Sequence, residues 1–179
     1  DIGAIMTDTG FNFGGANGSR LREGIMRMNE RLSGSRFLRG MNVVGGITKN
    51  IEDFQTAALR DELEVIRHDF SEVIAVAENS STVLNRLMTT GKLYPQIARD
   101  HGIVGVAARA VGIEADVRKD HPYAAYIRLP FELAVEEDGD VWERYRVRVK
   151  EVFTSMDLIA QAVALLPGME WKPVNSTPV

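Results

Sequence analysis

The sequence contains no cysteine, and this absence excludes several kinds of site at once. Disulfide bonds, thiolate metal ligands, iron–sulfur clusters held by the chain and cysteine nucleophiles all require that side chain. Histidine is scarce as well, because the chain has only His68, His101 and His121, whose spacing matches no zinc pattern. We therefore expect this chain by itself to bind no metal and no cofactor.

Long apolar runs are also missing, since none approaches the ~20 residues that a membrane-spanning helix requires. Positive charge is not in excess either: 21 Lys and Arg stand against 25 Asp and Glu, which gives a net charge of −4. A nucleic-acid-binding surface usually makes its domain distinctly basic, so we expect no nucleic-acid partner. The 179 residues, 45% of them hydrophobic, are enough for one domain with its own core.

Hydrophobic periodicity predicts that helices dominate the chain. The helical segments with this periodicity are residues 19–32, 51–80, 81–88 and 94–100. Ser19 is the predicted N-cap of the first of these helices. The clearest helix follows Asp140, which together with Glu143 predicts a capping box, and Pro167-Gly168 predicts where it ends.

The remaining segments predict a small non-helical insertion. Residues 37–47 have an extended pattern, residues 101–130 are broken by glycine and proline, and a short hairpin is expected around residues 125–135. The predicted fold is mainly α, a bundle of long helices with a small β or loop insertion. We expect one domain over residues 1–170 and a frayed polar tail over residues 171–179.

A glycine-rich stretch, residues 14–20 (GGANGSR), resembles a phosphate-binding loop because glycines before a helix free backbone N–H groups for an anion. It lacks the Gly-Lys-Ser/Thr ending of such loops and is not a dinucleotide fingerprint. We therefore favour a helix break or close packing between helices.

Charged residues are densest in the glycine-broken segment, where helix amphipathicity cannot explain them. The group comprises Arg109, Glu114, Asp116, Arg118, Lys119, Asp120 and His121, followed by Tyr123. Arg–carboxylate pairs can organise such a loop because their geometry is demanding. Three interpretations stay open: a salt-bridged surface loop, a loop that docks a partner subunit, or the lining of a buried polar channel.

This segment resembles a known family. Residues 102–113 (GIVGVAARAVGI), 116–119 (DVRK) and 122–126 (PYAAY) resemble a signature of the 49 kDa subunit of respiratory complex I and of the related large subunit of membrane-bound, energy-converting [NiFe] hydrogenases. Residues 139–155 resemble the family's following helix, with Arg148 and Glu151 among the matching positions. The resemblance implies a hydrogenase large-subunit-like fold and a part in an oxidoreductase.

The opening of the chain is closer to the hydrogenase branch, which includes formate-hydrogenlyase large subunits. Residues 8–23 (DTGFNFGGANGSRLRE) and 36–46 (RFLRGMNVVGG) carry this likeness. Met41-Asn42 precede Val43-Val44-Gly45-Gly46, so the arginine of the Tyr-x-Arg-x-Gly-Gly sequence usual in the complex I branch is missing. We therefore expect a hydrogenase-type subunit. The alternatives are the quinone-site subunit of an NADH:quinone oxidoreductase, or a structural or assembly module that has lost the chemistry.

The resemblance implies partners and a location. A small iron–sulfur subunit and membrane-arm subunits are the expected partners, in a complex bound peripherally at the cytoplasmic face of the inner membrane. The [NiFe] centre of the hydrogenase branch is held by two pairs of cysteines that this chain lacks, so such a centre is implied only for a parent with flanking cysteine pairs. Because the sequence opens at Asp1 on apolar, helix-like residues, we expect an excised central domain, inactive alone and able to self-associate.

The resemblance also indicates individual candidates for functional and structural residues. Asp1 matches an aspartate near the quinone headgroup in complex I members and is a candidate proton-site or quinone-site carboxylate. The remaining candidates are expected to dock a subunit or to support the structure: Arg36, Arg109, Asp116, Arg118 and Tyr123.

Overall fold

The computed structural model describes residues 1–166 and confirms the mainly α fold. The helices are α1 (Ile2–Asp8), α2 (Asn12–Ser33), α3 (Asp53–Glu78), α4 (Ser81–Leu87), α5 (Pro95–Asp100), α6 (Val106–Arg109), α7 (Val117–Asp120), a 3-10 helix (Ala124–Ile127) and α8 (Val141–Leu165). Two short antiparallel strands, β1 (Asn42–Val43) and β2 (Gly46–Ile47), form the β insertion. No helix in this described part is long and apolar enough to cross a membrane.

The glycine-rich stretch lies inside α2, where it packs against α1. A Cβ atom on Gly18 would lie only 2.7 Å from the Cα of Gly3, which shows how closely the two backbones approach. Helix α2 begins at Asn12, so the predicted N-cap at Ser19 is wrong, and the Ser19 hydroxyl instead donates to the carbonyl of Gly15 at 3.1 Å. Close helix packing, rather than anion binding, therefore accounts for the glycines.

The main core lies where α2, α3 and α8 meet and is sealed at one end by α1 and α4. The predicted apolar stripes supply its centre: Leu59, Leu63, Phe70, Val73 and Ala77 of α3 are buried, as are Tyr145, Val149, Met156 and Val163 of α8. Aliphatic and aromatic side chains repeated every three or four residues give each helix one continuous apolar face. The three long helices can therefore be buried against one another.

The predicted hairpin around residues 125–135 is wrong. The chain there forms the 3-10 helix and then an irregular segment, and Pro130 has no N–H to donate to a strand partner. The backbone N–H of Glu136 donates to the carbonyl of Arg109 at 2.8 Å, and that of Gly139 donates to Ala110 at 2.8 Å. This segment thus satisfies its backbone by pairing with α6.

Helix α8 begins as predicted, with one difference at its cap. Asp140 accepts the backbone N–H of Glu143 through Oδ1 at 2.9 Å and that of Thr89 through Oδ2 at 2.6 Å. The cap therefore also ties α8 to the turn after α4, while the return hydrogen bond of the predicted capping box, from the Asp140 N–H to the Glu143 side chain, is not formed. The predicted helix end at Pro167-Gly168 and the tail over residues 171–179 lie outside the described residues.

Candidate functional site

A groove of about 750 Å³ runs between α1, α2, α3 and α8. Its wall is mainly apolar and includes four methionines: Met6, Met26, Met28 and Met156. Methionine is flexible and polarisable, so such a wall adapts to apolar groups of different shape. The groove is thus a concave surface that could receive an apolar molecule or chain segment.

Polar side chains interrupt the apolar wall of this groove, and we call them its polar edge. They are Asp1, Thr7, Ser19, Arg22, Arg148, Glu151 and Ser155. Asp1 is 83% exposed, and its Oδ2 lies 3.5 Å from Nε of Arg148. The edge therefore offers two carboxylates and two guanidinium groups to whatever enters.

Behind Glu151 lies the charged cluster that the sequence singled out. Arg109 is 6% exposed and Asp116 8% exposed, and Arg109 binds Glu151 through Nη2 while its Nη1 lies 3.4 Å from Asp116 Oδ2. Arg118 holds Asp116 with two hydrogen bonds, from Nε at 2.9 Å and from Nη2 at 2.6 Å. The Arg118 Nη2 also lies 3.5 Å from Glu151 Oε1. We call Arg109, Asp116, Arg118 and Glu151 the arginine–carboxylate cluster.

The positive and negative groups of the cluster are paired with one another. The bidentate contact with the Arg118 guanidinium, opposed by burial, holds the pKa of Asp116 below its usual range. Asp116 also caps α7 by accepting the backbone N–H of Arg118 at 2.9 Å. Two arginines and two carboxylates therefore fix residues 109–118 onto α8 and orient Glu151 at the groove wall.

Arg36 lies apart from this cluster. It donates to Glu23 of α2 with both Nη atoms, at 3.0 and 2.5 Å, and fastens the chain after α2 back onto that helix. Hydrogen bonds from Arg36 and then Arg27 lower the pKa of Glu23 to about 2. The contacts of Arg36 are structural, and it does not line the groove.

Tyr123 belongs to an exposed aromatic group. It is 53% exposed and lies edge-on to Tyr126 with ring centroids 5.1 Å apart, and Tyr126 in turn lies 6.1 Å from Phe131. The Arg118 guanidinium lies 4.9 Å from the Phe131 ring centroid, which links this surface to the arginine–carboxylate cluster.

Glu151, Arg22 and Arg148 are site residues that were not nominated from the sequence. Arg148, Glu151 and Ser155 follow one another at spacings of three and four, which places them on one face of α8. That spacing, together with their position next to the apolar stripe, was the sequence feature from which these site residues could have been predicted.

Cysteine thiolates are absent from the chain, and residues 1–166 contain no group of three His, Asp or Glu side chains placed to hold a metal ion. The donors present therefore do not fit a nickel–iron centre, which is held by thiolates. The ionisable groups that line the groove are carboxylates and guanidinium groups.

Comparison with known proteins assigns this chain to a family. The sequence profile described as "Respiratory-chain NADH dehydrogenase, 49 Kd subunit" matches residues 8–178. The chain belongs to this 49 kDa subunit family. The arginine–carboxylate cluster and the parts of the groove on α2, α3 and α8 lie within the matched residues, whereas Asp1 and the groove residues of α1 precede them.

Two relatives of the 49 kDa family chain illustrate the two branches. It is 34% identical over 168 residues to formate hydrogenlyase subunit 5 of Escherichia coli (strain K12), covering 94% of this chain and 30% of that protein. It is 34% identical over 150 residues to NADH-quinone oxidoreductase subunit 4 of Thermus thermophilus, covering 83% of this chain and 37% of that protein. Both relatives are named as subunits of oxidoreductases.

A solved structure agrees with this assignment of the 49 kDa family fold. It is described as "the membrane-bound sulfane sulfur reductase (MBS), an archaeal respiratory membrane complex", and a chain of it superposes with a TM-score of 0.86 at 28% identity. The match covers 96% of this chain and 46% of that one. The chain therefore spans less than half the length of each of these three relatives.

Proposed function

We propose that this chain forms the central part of the large subunit of a membrane-bound, energy-converting redox complex of the hydrogenase type. Its role there is to line a cavity, formed with the groove and called the chamber below, in which electrons from an iron–sulfur partner reach their acceptor. The observation that carries the proposal is the groove, whose apolar wall meets one polar edge anchored by the arginine–carboxylate cluster.

The chain's own residues would act on the acceptor by position and charge. Glu151 is fixed from behind by Arg109 and Arg118, so its carboxylate meets an occupant of the groove without reorganising. Arg148 can donate hydrogen bonds to a polar group on that occupant, and Asp1, which lies beside Arg148, can accept a hydrogen bond or a proton from it. The apolar wall would exclude water from the remainder of the chamber.

Proton reduction or hydrogen oxidation is the first candidate activity. The likeness to formate hydrogenlyase subunit 5 supports it, because it extends over 94% of the chain. Nickel would then be held by cysteines of the parent subunit outside this chain. Quinone reduction is the second candidate, supported by the likeness to NADH-quinone oxidoreductase subunit 4.

We further propose that the complex lies at the cytoplasmic face of the inner membrane. We also propose that the segment of residues 118–131 docks the iron–sulfur subunit. The exposed aromatic group around Tyr123 and the stacking of Arg118 on Phe131 support this role. Aromatic residues and arginine are the side chains that most often anchor protein interfaces.

The chamber is tested in the complete complex with Glu151→Gln, which preserves shape and removes the charge. We expect assembly to persist and turnover to fall at least about tenfold, because a charge-assisted hydrogen bond contributes roughly 1.5–3 kcal/mol. Glu64→Gln on α3, a residue that is 73% exposed, is the matched control and should leave turnover unchanged. Hydrogen production and quinone reduction, assayed side by side, separate the two candidate activities.

Equal turnover in the two variants would contradict the proposed chamber. Docking is tested separately with Arg118→Ala, which should weaken recovery of the iron–sulfur subunit with the complex. The exposed Arg60 supplies the control as Arg60→Ala. Unchanged assembly in Arg118→Ala would remove the docking role from this segment.

A further inference from the structure

A row of large apolar side chains lies exposed along α3, on the face away from the core. Phe54, Val65 and Val76 are 73%, 61% and 50% exposed. Each follows the previous one by eleven residues, and three helical turns take about 10.8 residues, so the three lie nearly in line over about 33 Å. Single exposed apolar residues are ordinary on a protein surface, but three in line form a regular set of contact points for a partner.

Acidic side chains separate these apolar residues. We call the residues of α3 within about 40° of this line the outer row of α3. They are Phe54, Ala58, Asp61, Val65, Asp69, Glu72 and Val76. The outer row carries three carboxylates and neither lysine nor arginine, because Arg60 and Arg67, the two arginines of α3, lie about 140–160° around the helix from Val65.

Two of the three carboxylates are accessible to a partner. Asp69 is paired within the chain, since its Oδ2 lies 2.7 Å from Nη1 of Arg20 on α2. Asp61 and Glu72 are both exposed. Glu72 Oε1 lies 3.8 Å from Nε2 of His68, which is beyond hydrogen-bonding distance. A cationic side chain from outside the chain can therefore approach Asp61 and Glu72.

One end of the outer row opens into a groove of about 350 Å³ between α2 and α3. Its lining includes Phe54 of the row, Met28 and Leu32 of α2, and the buried Leu59. An apolar side chain of a partner can enter this groove beside Phe54. The groove therefore gives the row a defined end at which a partner is fixed.

We propose that the outer row of α3 docks a basic, amphipathic helix of a neighbouring subunit. Apolar residues repeated every eleven positions in that helix recur about every 3.67 residues per turn, close to the period of a straight α-helix. Such a helix can lie alongside α3 nearly straight and contact Phe54, Val65 and Val76 in turn. Lysine or arginine side chains beside its apolar residues then meet Asp61 and Glu72, and this charge complementarity fixes its register.

The charge pattern favours a subunit other than this one. A second copy of the chain would place one acidic row against another, and like charges across an interface disfavour association. A helix of the same subunit would bury a continuous apolar face, as α2, α3 and α8 do in the core. Alternating apolar and charged positions are instead typical of contacts between separate chains. The inference rests on the proposed function only for the presence of other subunits, and it holds whichever acceptor the larger groove receives.

Photocrosslinking in the purified complete complex tests this docking. A photoreactive amino acid in place of Val65 should capture a peptide of another subunit that has a net positive charge and apolar residues at helical spacing. The same probe in place of Val104, an apolar residue outside α3 that is 74% exposed, is the matched control and should not capture that peptide. No crosslink at position 65, or a crosslink to a second copy, to the same subunit or to a peptide without net positive charge, would overturn the proposal, as would capture of one peptide at both positions.

Charge reversal gives a second measurement in the same complex. Asp61→Lys combined with Glu72→Lys should lower retention of the docked subunit at least about tenfold, because like charges then face one another across the contact. The loss should be greatest at low ionic strength, where screening is weakest. Glu137→Lys, at an exposed position outside α3, is the control and should retain the subunit. Equal retention in the reversed and control variants would contradict the docking, whatever the turnover of the complex.

Discussion

The contact between Gly3 and Gly18 makes a sharp prediction about the packing of α1 on α2. Replacing Gly18 with alanine adds a Cβ atom 2.7 Å from the Cα of Gly3, well inside van der Waals contact. The obstructing atom belongs to the backbone, so no side-chain rotation can relieve the clash. The two helices must separate by about 1 Å, given an optimal C–C separation of about 3.5–4.0 Å.

The magnitude comes from two opposing contributions to the free energy of unfolding. Alanine in place of glycine inside a helix stabilises by roughly 0.5–1 kcal/mol. Overpacking a close contact costs about 1–3 kcal/mol. Gly24, in the same helix, has no heavy atom within 4 Å of its added Cβ and so experiences only the first contribution.

The measurement is urea denaturation of Gly18→Ala and Gly24→Ala in parallel. Because both variants share the propensity gain, the difference between them isolates the helix contact and should be about 1–3 kcal/mol, with Gly18→Ala less stable. Thermal midpoints should differ by roughly 2–12 °C on the scale of about 2–4 °C per kcal/mol. Gly15→Ala should lie between the two, because its added Cβ meets the rotatable hydroxyl of Thr7 at 2.1 Å. Equal stability of Gly18→Ala and Gly24→Ala would refute the proposed contact.

Three further predictions concern the Asp140 cap, the arginine–carboxylate cluster and metal binding. Asp140→Ala removes acceptors for the N–H groups of Glu143 and Thr89 and should cost about 2–3 kcal/mol by urea denaturation. Arg109→Met leaves Glu151 without its main buried partner and should cost about 3–5 kcal/mol in the same assay, whereas a loss below about 1 kcal/mol would contradict a structural role for the cluster. The purified chain should bind no stoichiometric nickel, and elemental analysis finding one nickel per chain would contradict this.

The parts of the fold that local pattern determines were predictable. The stripes of α3 and α8 and the cap at Asp140 follow from side-chain spacing and capping chemistry, and the structure confirms them. The start of α2 was not predictable in this way. Glycines usually weaken a helix, but here they permit the approach of α1, and tertiary packing outweighs the local propensity.

The site was predictable only in part, for a physical reason. Arg109, Asp116 and Arg118 are close in sequence, so their charge density is visible there, and the structure shows Asp116 in contact with both arginines. Glu151 joins them across 42 positions. In the sequence it resembles an ordinary polar position on a helix until the packing is known.

Helix α8 begins at the Asp140 cap, which accepts the N–H of Thr89, and it carries Glu151 at the groove wall eleven residues later, about 16 Å along the same helix. The turn after α4 and the wall of the groove therefore share one rigid support. A substitution that loosens the cap is expected to lower stability and also to displace the carboxylate that faces the groove.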